Sequence, residues 1–211
     1  MFDWDGTLMD SAACIASSLK AAGNDMALSL RTDAELRNVI GLGMREAVLT
    51  LHPDLTDIEL QRFTDAYRQH FFLTNSDSMP LFDGVVSMLE KLNQKELWLA
   101  VATGKGRKGL KRALAATASS HFFHSTRTAE ETCSKPDPQM LFELMDELGV
   151  ASNKVLMVGD TEYDLDMAKR AGVSSVGVSY GAHEHHRFSV YSPLACVHSI
   201  LELDQWFETH L

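Results

Sequence analysis

Carboxylates collect at a few points of the chain, each beside a turn residue. Asp3-Trp4-Asp5-Gly6-Thr7 follows two apolar residues, Gly159-Asp160 follows the apolar run Val155–Val158, and Asp164 lies about one helical turn beyond Asp160. Thr103-Gly104 ends a second apolar run, and Lys135 sits within Ser-Lys-Pro-Asp-Pro. One Asp-Gly pair alone reads as an ordinary turn or cap. Four carboxylates at strand ends read differently. In an open parallel sheet, ligands bind beyond the carboxyl ends of strands, which would bring Asp3, Asp5, Thr103, Asp160 and Asp164 to one crevice. Such a set repels itself unless a cation intervenes. Oxygen donors without His or Cys favour a hard cation, with Mg2+ the usual choice beside phosphate. Pro136 and Pro138 stiffen the loop around Lys135, so its ammonium could be held inward to balance the carboxylates and draw a phosphoryl oxygen. The Thr103 hydroxyl and the backbone N–H groups from Gly104 onward suit an anion.

The elements that must position these groups fall into two zones. From about Ser11 to Thr74 the pattern is helical. Ala12, Ile15, Ala16, Leu19 and Ala22 recur at helix spacing, and further helices are predicted over Asp33–Ile40, Met44–Leu51 and from Thr56, with Glu59 as a capping-box partner. From about Pro80 helices and strands alternate. Helices are predicted at Val85–Leu92, Gly106–Ala116, Pro138–Leu148, Tyr163–Ala171 and Ile200–Phe207. Strands are predicted at Leu97–Thr103, Phe122–Phe123, Val155–Val158, Ser175–Val178 and Ala195–His198. This alternation implies an α/β fold, a doubly wound, Rossmann-like parallel sheet. Residues 1–10 and 80–211 would form the core, and residues 11–79 a helical cap inserted after the first strand.

Composition agrees with a folded chain. Its 211 residues are 45% hydrophobic and 23% charged, and the formal net charge is −10. An acidic chain of this kind is a poor general partner for nucleic acid or anionic membranes. No apolar run reaches the ~18 residues of a membrane span. Cys14, Cys133 and Cys196 are scattered and form no CxxC pair, which speaks against a zinc site or disulfide framework and for a reducing cytoplasm. No signal-peptide pattern is visible. The oligomeric state is not readable from these features.

The set FDWDGTLMDS, VATGK, SKPDP and VGDTEYDLDMAKRAG strongly resembles the four ordered motifs of the haloacid dehalogenase superfamily. The likeness runs from Phe2 to about Gly181 and is greatest to the phosphoglycolate-phosphatase-like branch with a helical cap. The resemblance implies a Mg2+-dependent phosphatase for a small metabolite, phosphoglycolate-like or a sugar phosphate. Asp3 would be the nucleophile that forms an aspartyl phosphate, and Asp5 the general acid and base. Thr103, Gly104 and Lys135 would bind the phosphoryl group. Asp3, the backbone carbonyl of Asp5, Asp160 and Asp164 would hold the metal. Asp5 itself separates this chain from the dehalogenase branch, which lacks an acid there. Lys20 is the single lysine between Ser11 and Pro80, which disfavours the phosphonate-cleaving branch and its cap lysine. The β-phosphoglucomutase-like branch is the nearest rival. Arg45 in Gly43-Met44-Arg45-Glu46 would hold a second phosphate there, yet no histidine precedes His52 to match that branch's hinge. A non-catalytic binding protein on the same fold is the alternative from another class.

Other signals carry blander expectations. Lys105, Arg107, Lys108, Lys111 and Arg112 read as a solvated helix face, with Lys105 near enough to guide an anion. His183, His185 and His186 read as a solvated loop. Trp4 is expected to pack behind the nucleophile loop. Arg45 reads equally as a specificity residue or a surface charge. Strands usually run about 5–6 residues, yet only Met1 and Phe2 precede Asp3. The expectation is that upstream residues are missing, or else that the nucleophile loop loses ladder hydrogen bonds and is loosely held.

Overall fold

The computed structural model describes residues 1–74 and 79–211; residues 75–78, inside the expected cap, lie outside the described residues. Five parallel strands are formed among the described residues: β1 (Ala100–Thr103), β2 (Ser125–Thr128), β3 (Leu156–Gly159), β4 (Ser174–Val178) and β5 (Ala195–Val197). β1 pairs with β2, and β3–β4–β5 form a second group. Phe2 joins the two, bridging in parallel to Val101 on one side and Val158 on the other. The spatial order is therefore β2, β1, residues 1–3, β3, β4, β5. The short leading segment is paired on both flanks. Phe2 N–H donates to Ala100 O and Asp3 N–H to Val158 O, each at 2.9 Å, while Phe2 O and Met1 O accept from Ala102 and Val158 at 2.9 Å. The expected loss of ladder bonds beside the nucleophile loop is thus not found. The ladder runs up to Asp3 because its neighbours on both sides are long enough to supply partners.

Nine α-helices accompany the strands: α1 (Ala12–Asp25), α2 (Asp33–Asn38), α3 (Met44–Leu51), α4 (Asp57–Thr74), α5 (Val85–Gln94), α6 (Arg107–Ala116), α7 (Gln139–Leu148), α8 (Glu162–Ala171) and α9 (Ile200–His210), counted among the described residues. Local chemistry explains their ends. Thr56 accepts from Glu59 N–H at 3.4 Å while Glu59 accepts from Thr56 N–H at 2.9 Å, the anticipated capping box. Thr32 and Glu35 form another at α2 that the sequence reading passed over. Gly149 and Gly172 end α7 and α8 in the left-handed region, where a Cβ would be strained.

Two strand expectations need correction. Ser120–Phe122 is a 3-10 turn, and the strand follows it at Ser125–Thr128. Leu97 and Trp98 stay outside β1. Trp98 is 56% exposed and stacks on His124, so its apolar character reports a surface ring contact and not a buried strand.

Three apolar clusters hold the molecule together. The first lies on one face of the sheet, where Phe2, Val101, Val158 and Val176 meet Leu89 of α5 and Leu203 and Phe207 of α9. The second lies on the other face, between Ala100, Ala102 and Met157 and helices α7 and α8. The third belongs to α1–α4, where Ile15, Leu19, Val48 and Phe63 pack together. Trp4 is fully buried, with its indole edge against Phe123 and its N–H on Met9 sulfur at 3.3 Å, so it packs behind the loop as expected. No helix among the described residues is long and apolar enough to cross a membrane. Because Leu89 is fully buried in the first cluster, Leu89→Ala should lower the unfolding free energy by about 2–5 kcal/mol. Leu201→Ala, at a side chain 66% exposed, should change it by no more than about 0.5 kcal/mol. Urea unfolding followed by circular dichroism checks both.

Candidate active site

The carboxyl ends of the leading segment, β1 and β3 converge. Asp3 is 1% exposed, Asp160 and Asp164 are fully buried, and one carboxylate oxygen from each lies within 4.8 Å of the others. Lys135 stands among them, with Nζ 2.8 Å from Asp3 Oδ1 and 2.6 Å from Asp164 Oδ1. The side chain of a lysine this buried requires such partners. The loop after β2 carries it inward, as the two prolines suggest, and the Lys135–Pro136 peptide is cis.

Each acid is oriented by its own local contacts. Asp160 accepts from Thr7 Oγ1 at 2.8 Å and from Ala182 N–H at 2.7 Å. Asp164 occupies the third helical position of α8, and its Oδ2 accepts from Thr161 N–H at 3.1 Å and Thr161 Oγ1 at 2.7 Å. The capping box thereby holds one oxygen of Asp164 and leaves the other facing the cluster. Gly6, at φ +82°, is required here, since a Cβ at that position would lie 2.2 Å from Asp160 Oδ2.

Burial is the main influence on these acids. It raises the Asp3 carboxyl from its ordinary 3.8 to about 7; Lys135 works against the rise, and the Asp164 and Asp5 charges add to it. Burial, followed by the charges of Asp3 and Asp164, also pushes Asp160 well above the usual range. Burial opposes the charged form of Lys135, but Asp164 and Asp3 outweigh it and hold the ammonium protonated.

The residue set fits a hard cation. All donors are oxygens, three acids lie within one cluster, and the buried Asp3 Oδ2 has no hydrogen-bond partner among the described residues, while Asp3 Oδ1 and Asp164 Oδ1 face the Lys135 ammonium.

Asp3, Asp5, Thr103, Gly104 and Lys105 line a cavity of about 890 Å³ whose opposite wall comes from α1, α3 and α4. Asp5 accepts from Ser11 Oγ at 2.7 Å and pairs with Lys105 Nζ at 2.9 Å. Lys105 is therefore not part of a solvated face: its side chain is only 9% exposed. Thr103 is buried and receives the N–H of Lys105 at 3.2 Å on its hydroxyl. Gly104 touches the backbone of the α2–α3 loop; a Cβ there would lie 2.5 Å from both Gly41 O and Leu42 O.

Arg45 is the predicted site residue that the structure leaves outside this assembly. Its side chain is 58% exposed, its guanidinium bonds Asp57 at 2.9 Å, and it does not line the cavity. His183 departs from expectation in the opposite direction. It is 2% exposed, its Nδ1 accepts from Glu162 N–H at 3.2 Å, and Nε2 contacts Asn38 O at 3.1 Å. Burial, then the Arg187 charge, lowers its pKa and favours the neutral ring. Tyr163 donates to the same Asn38 carbonyl at 2.9 Å, and Ser134 Oγ accepts from Gly43 N–H at 2.7 Å, so this loop is tied to the sheet side at both ends. Sequence reasoning also missed Thr7, Ser11 and Thr161. The hydroxyls stood in plain view beside Asp5, Asp10 and Asp160, but ordinary turns have the same composition.

Comparison with known proteins agrees with the arrangement. The family described as haloacid dehalogenase-like hydrolase matches residues 1–178. The chain is 32% identical over 212 residues to the protein named Probable phosphatase IndB of Dickeya dadantii, covering 96% of this chain and 90% of that one. It is 28% identical over 188 residues to the phosphoglycolate phosphatase of Vibrio cholerae, covering 85% of this chain and 83% of the relative. The crystal structure of a hydrolase from Pseudomonas syringae superposes with a TM-score of 0.91 at 22% identity, covering 99% of this chain and 97% of that one, a likeness of fold. With its acids, lysine and threonine assembled at the strand ends and its sequence matched over most of its length, the chain belongs to the haloacid dehalogenase-like hydrolase family.

Proposed function

We propose that this hydrolase is a Mg2+-dependent phosphomonoesterase that passes the phosphoryl group of a small metabolite first to Asp3 and then to water. The observation that carries the reading is Asp3 itself: a buried carboxylate with an oxygen that has no hydrogen-bond partner among the described residues, beside Lys135 and facing the cavity that Thr103 and Asp5 also line. Relatives named as phosphatases support it.

The reaction follows from the side chains. Asp3 attacks phosphorus, forming an O–P bond as the P–O bond to the leaving group breaks. Asp5, two residues on, gives that departing oxygen a proton. Asp5 then takes a proton from a water molecule that attacks the aspartyl phosphate, freeing inorganic phosphate and restoring the Asp3 carboxylate. Thr103 and the N–H groups after it receive phosphoryl oxygens, and the fixed charge of Lys135 offsets the repulsion between nucleophile and substrate. Asp3, Asp160, Asp164 and the Asp5 carbonyl would hold Mg2+, which supplies Lewis-acid stabilisation of phosphoryl charge. Residues 11–79 act as a cap over the cavity, and its movement about hinges near Leu8–Ser11 and Met79–Asp83 admits substrate and then excludes bulk water.

Asp3→Asn should lower kcat on p-nitrophenyl phosphate with Mg2+ by at least about 10³-fold while leaving the circular dichroism spectrum unchanged. Wild-type turnover in that variant would sink the nucleophile assignment. The acid cluster makes a second prediction. Asp3 holds its proton to about pH 7 in the folded chain, against 3.8 ordinarily. In metal-free protein its contribution therefore favours folding at low pH and is lost as pH rises across that window. A cation competes with that proton, so the rise in Tm caused by Mg2+ should be larger at pH 8 than at pH 6. Thermal scans with and without Mg2+ at both values check this, and equal shifts would contradict it.

A further inference from the structure

Lys105 stands apart from the other paired cations of the cavity. Arg68 and Arg107 pair with Glu130 and Glu131, acids outside the reacting set, and both side chains are far more exposed than that of Lys105. Lys105 pairs with Asp5, the residue that exchanges the proton. Its Nζ lies 2.9 Å from Asp5 Oδ1 and 3.0 Å from Asp5 Oδ2.

Three further contacts fix the lysine in this place. Its backbone N–H donates to Thr103 Oγ1 at 3.2 Å. Its ammonium lies over the Phe71 ring of α4, 4.8 Å from the centroid, an attraction that adds to the ion pair. Its stem runs along Gly109 in the first turn of α6, where a Cβ would come within 3.2 Å of Lys105 Cγ and 3.4 Å of Cε. Glycine inside a helix is destabilising relative to alanine, and here the space it leaves is taken by the lysine stem.

These contacts also distinguish the two oxygens of Asp5. Oδ1 accepts from Ser11 Oγ at 2.7 Å and from Lys105, whereas Oδ2 accepts from Lys105 alone among the described residues. Each carboxylate oxygen has about two acceptor positions, so Oδ1 is saturated and Oδ2 keeps one for a proton. We infer that Lys105 is a positioning residue for the proton transfer: with Ser11 it directs Asp5 Oδ2 to the leaving oxygen, and its charge meets the carboxylate that forms there. The inference rests on the phosphomonoesterase reading above. The proton passes from Oδ2 to the bridging oxygen as that oxygen keeps the electron pair of the breaking P–O bond. Negative charge appears on Asp5 in the same step, and an ammonium already in place stabilises it without reorganisation.

A leaving group's need for that proton separates this role from a structural one. p-Nitrophenolate departs as a stable anion, whereas an alkoxide has to be protonated. Steady-state kinetics of the full chain with Mg2+ compare p-nitrophenyl phosphate with the faster of two alkyl esters, glycerol 3-phosphate and phosphoglycolate. Lys105→Met should lower kcat/KM for the alkyl ester at least about tenfold more than for the aryl ester. Lys105→Arg, which keeps a charged donor, should restore most of that difference. In an Asp5→Asn background Lys105→Met should leave the alkyl-to-aryl ratio unchanged within about twofold, because the lysine acts through Asp5. Should Lys105→Met not fold, Gly109→Ala carries the test: alanine favours the helix but presses on the lysine stem, and the same ratio should fall at least about twofold. Equal losses on both esters, or an unchanged ratio in the folded variant, would overturn the role given to Lys105 and leave the phosphatase reading intact. Wild-type turnover of the aryl ester alone would overturn it too, since a positioned acid has to serve alkyl esters. Hydrolysis of neither class by folded wild-type protein would remove the phosphatase reading and this inference with it.

Discussion

Three carboxylates and one ammonium are taken out of water at the centre of this molecule. Asp3, Asp160 and Asp164 cannot share a buried volume as anions without compensation. Lys135, itself without exposure, contacts two of them within 2.8 Å. Removing the lysine would leave uncompensated buried charge, which is far worse than losing a contact. Much of the surrounding structure serves this cluster. The ladder on both sides of Phe2 holds Asp3, the stiff loop after β2 carries Lys135, and the first turn of α8 presents Asp164.

The same cluster explains why the backbone around it tolerates so little change. Asp160 fills the space above Gly6 and is itself held by Thr7 and Ala182, which come from opposite ends of the chain. Asp164 supports its helix end and the acid cluster at once, one oxygen for each. A side chain committed to a capping box has little rotational freedom, so its second oxygen is placed in advance, and a preorganised site need not reorganise when charge develops.

The cavity beyond the acids obeys a different constraint. Lys105, Arg68 and Arg107 at this cavity pair with acids of the protein, Lys108 and Arg112 line it without an acid partner among the described residues, and the wall facing the acids is largely hydrocarbon and aromatic rings. The α2–α3 loop closes the space by direct backbone contact with Gly104, and the Asn38 carbonyl meets Tyr163 and His183. These polar contacts together fix the α2–α3 loop against the core, several modest bonds instead of one strong one.

What the sequence determined by itself was the alternation of elements and the identity of the reactive groups. Strand and helix periods, proline and glycine punctuation, and an acid at successive strand ends are local properties, and a parallel sheet turns such local order into one shared edge. This is why Asp3, Asp5, Thr103, Lys135, Asp160 and Asp164 could be named from spacing and resemblance. Tertiary structure decided the rest, because partners far apart in the chain are invisible to local pattern. Phe122-Phe123 looked like a strand but packs as a turn before β2. Lys105 looked solvated until Asp5, a hundred residues away, supplied its counter-charge. His183 looked like loop surface until the Asn38 carbonyl covered it. Arg45 looked equally able to face substrate or solvent, and Asp57, from the start of a neighbouring helix, drew it outward. In each case the outcome turned on which distant group removed a side chain from water, and only the folded chain brings those groups together.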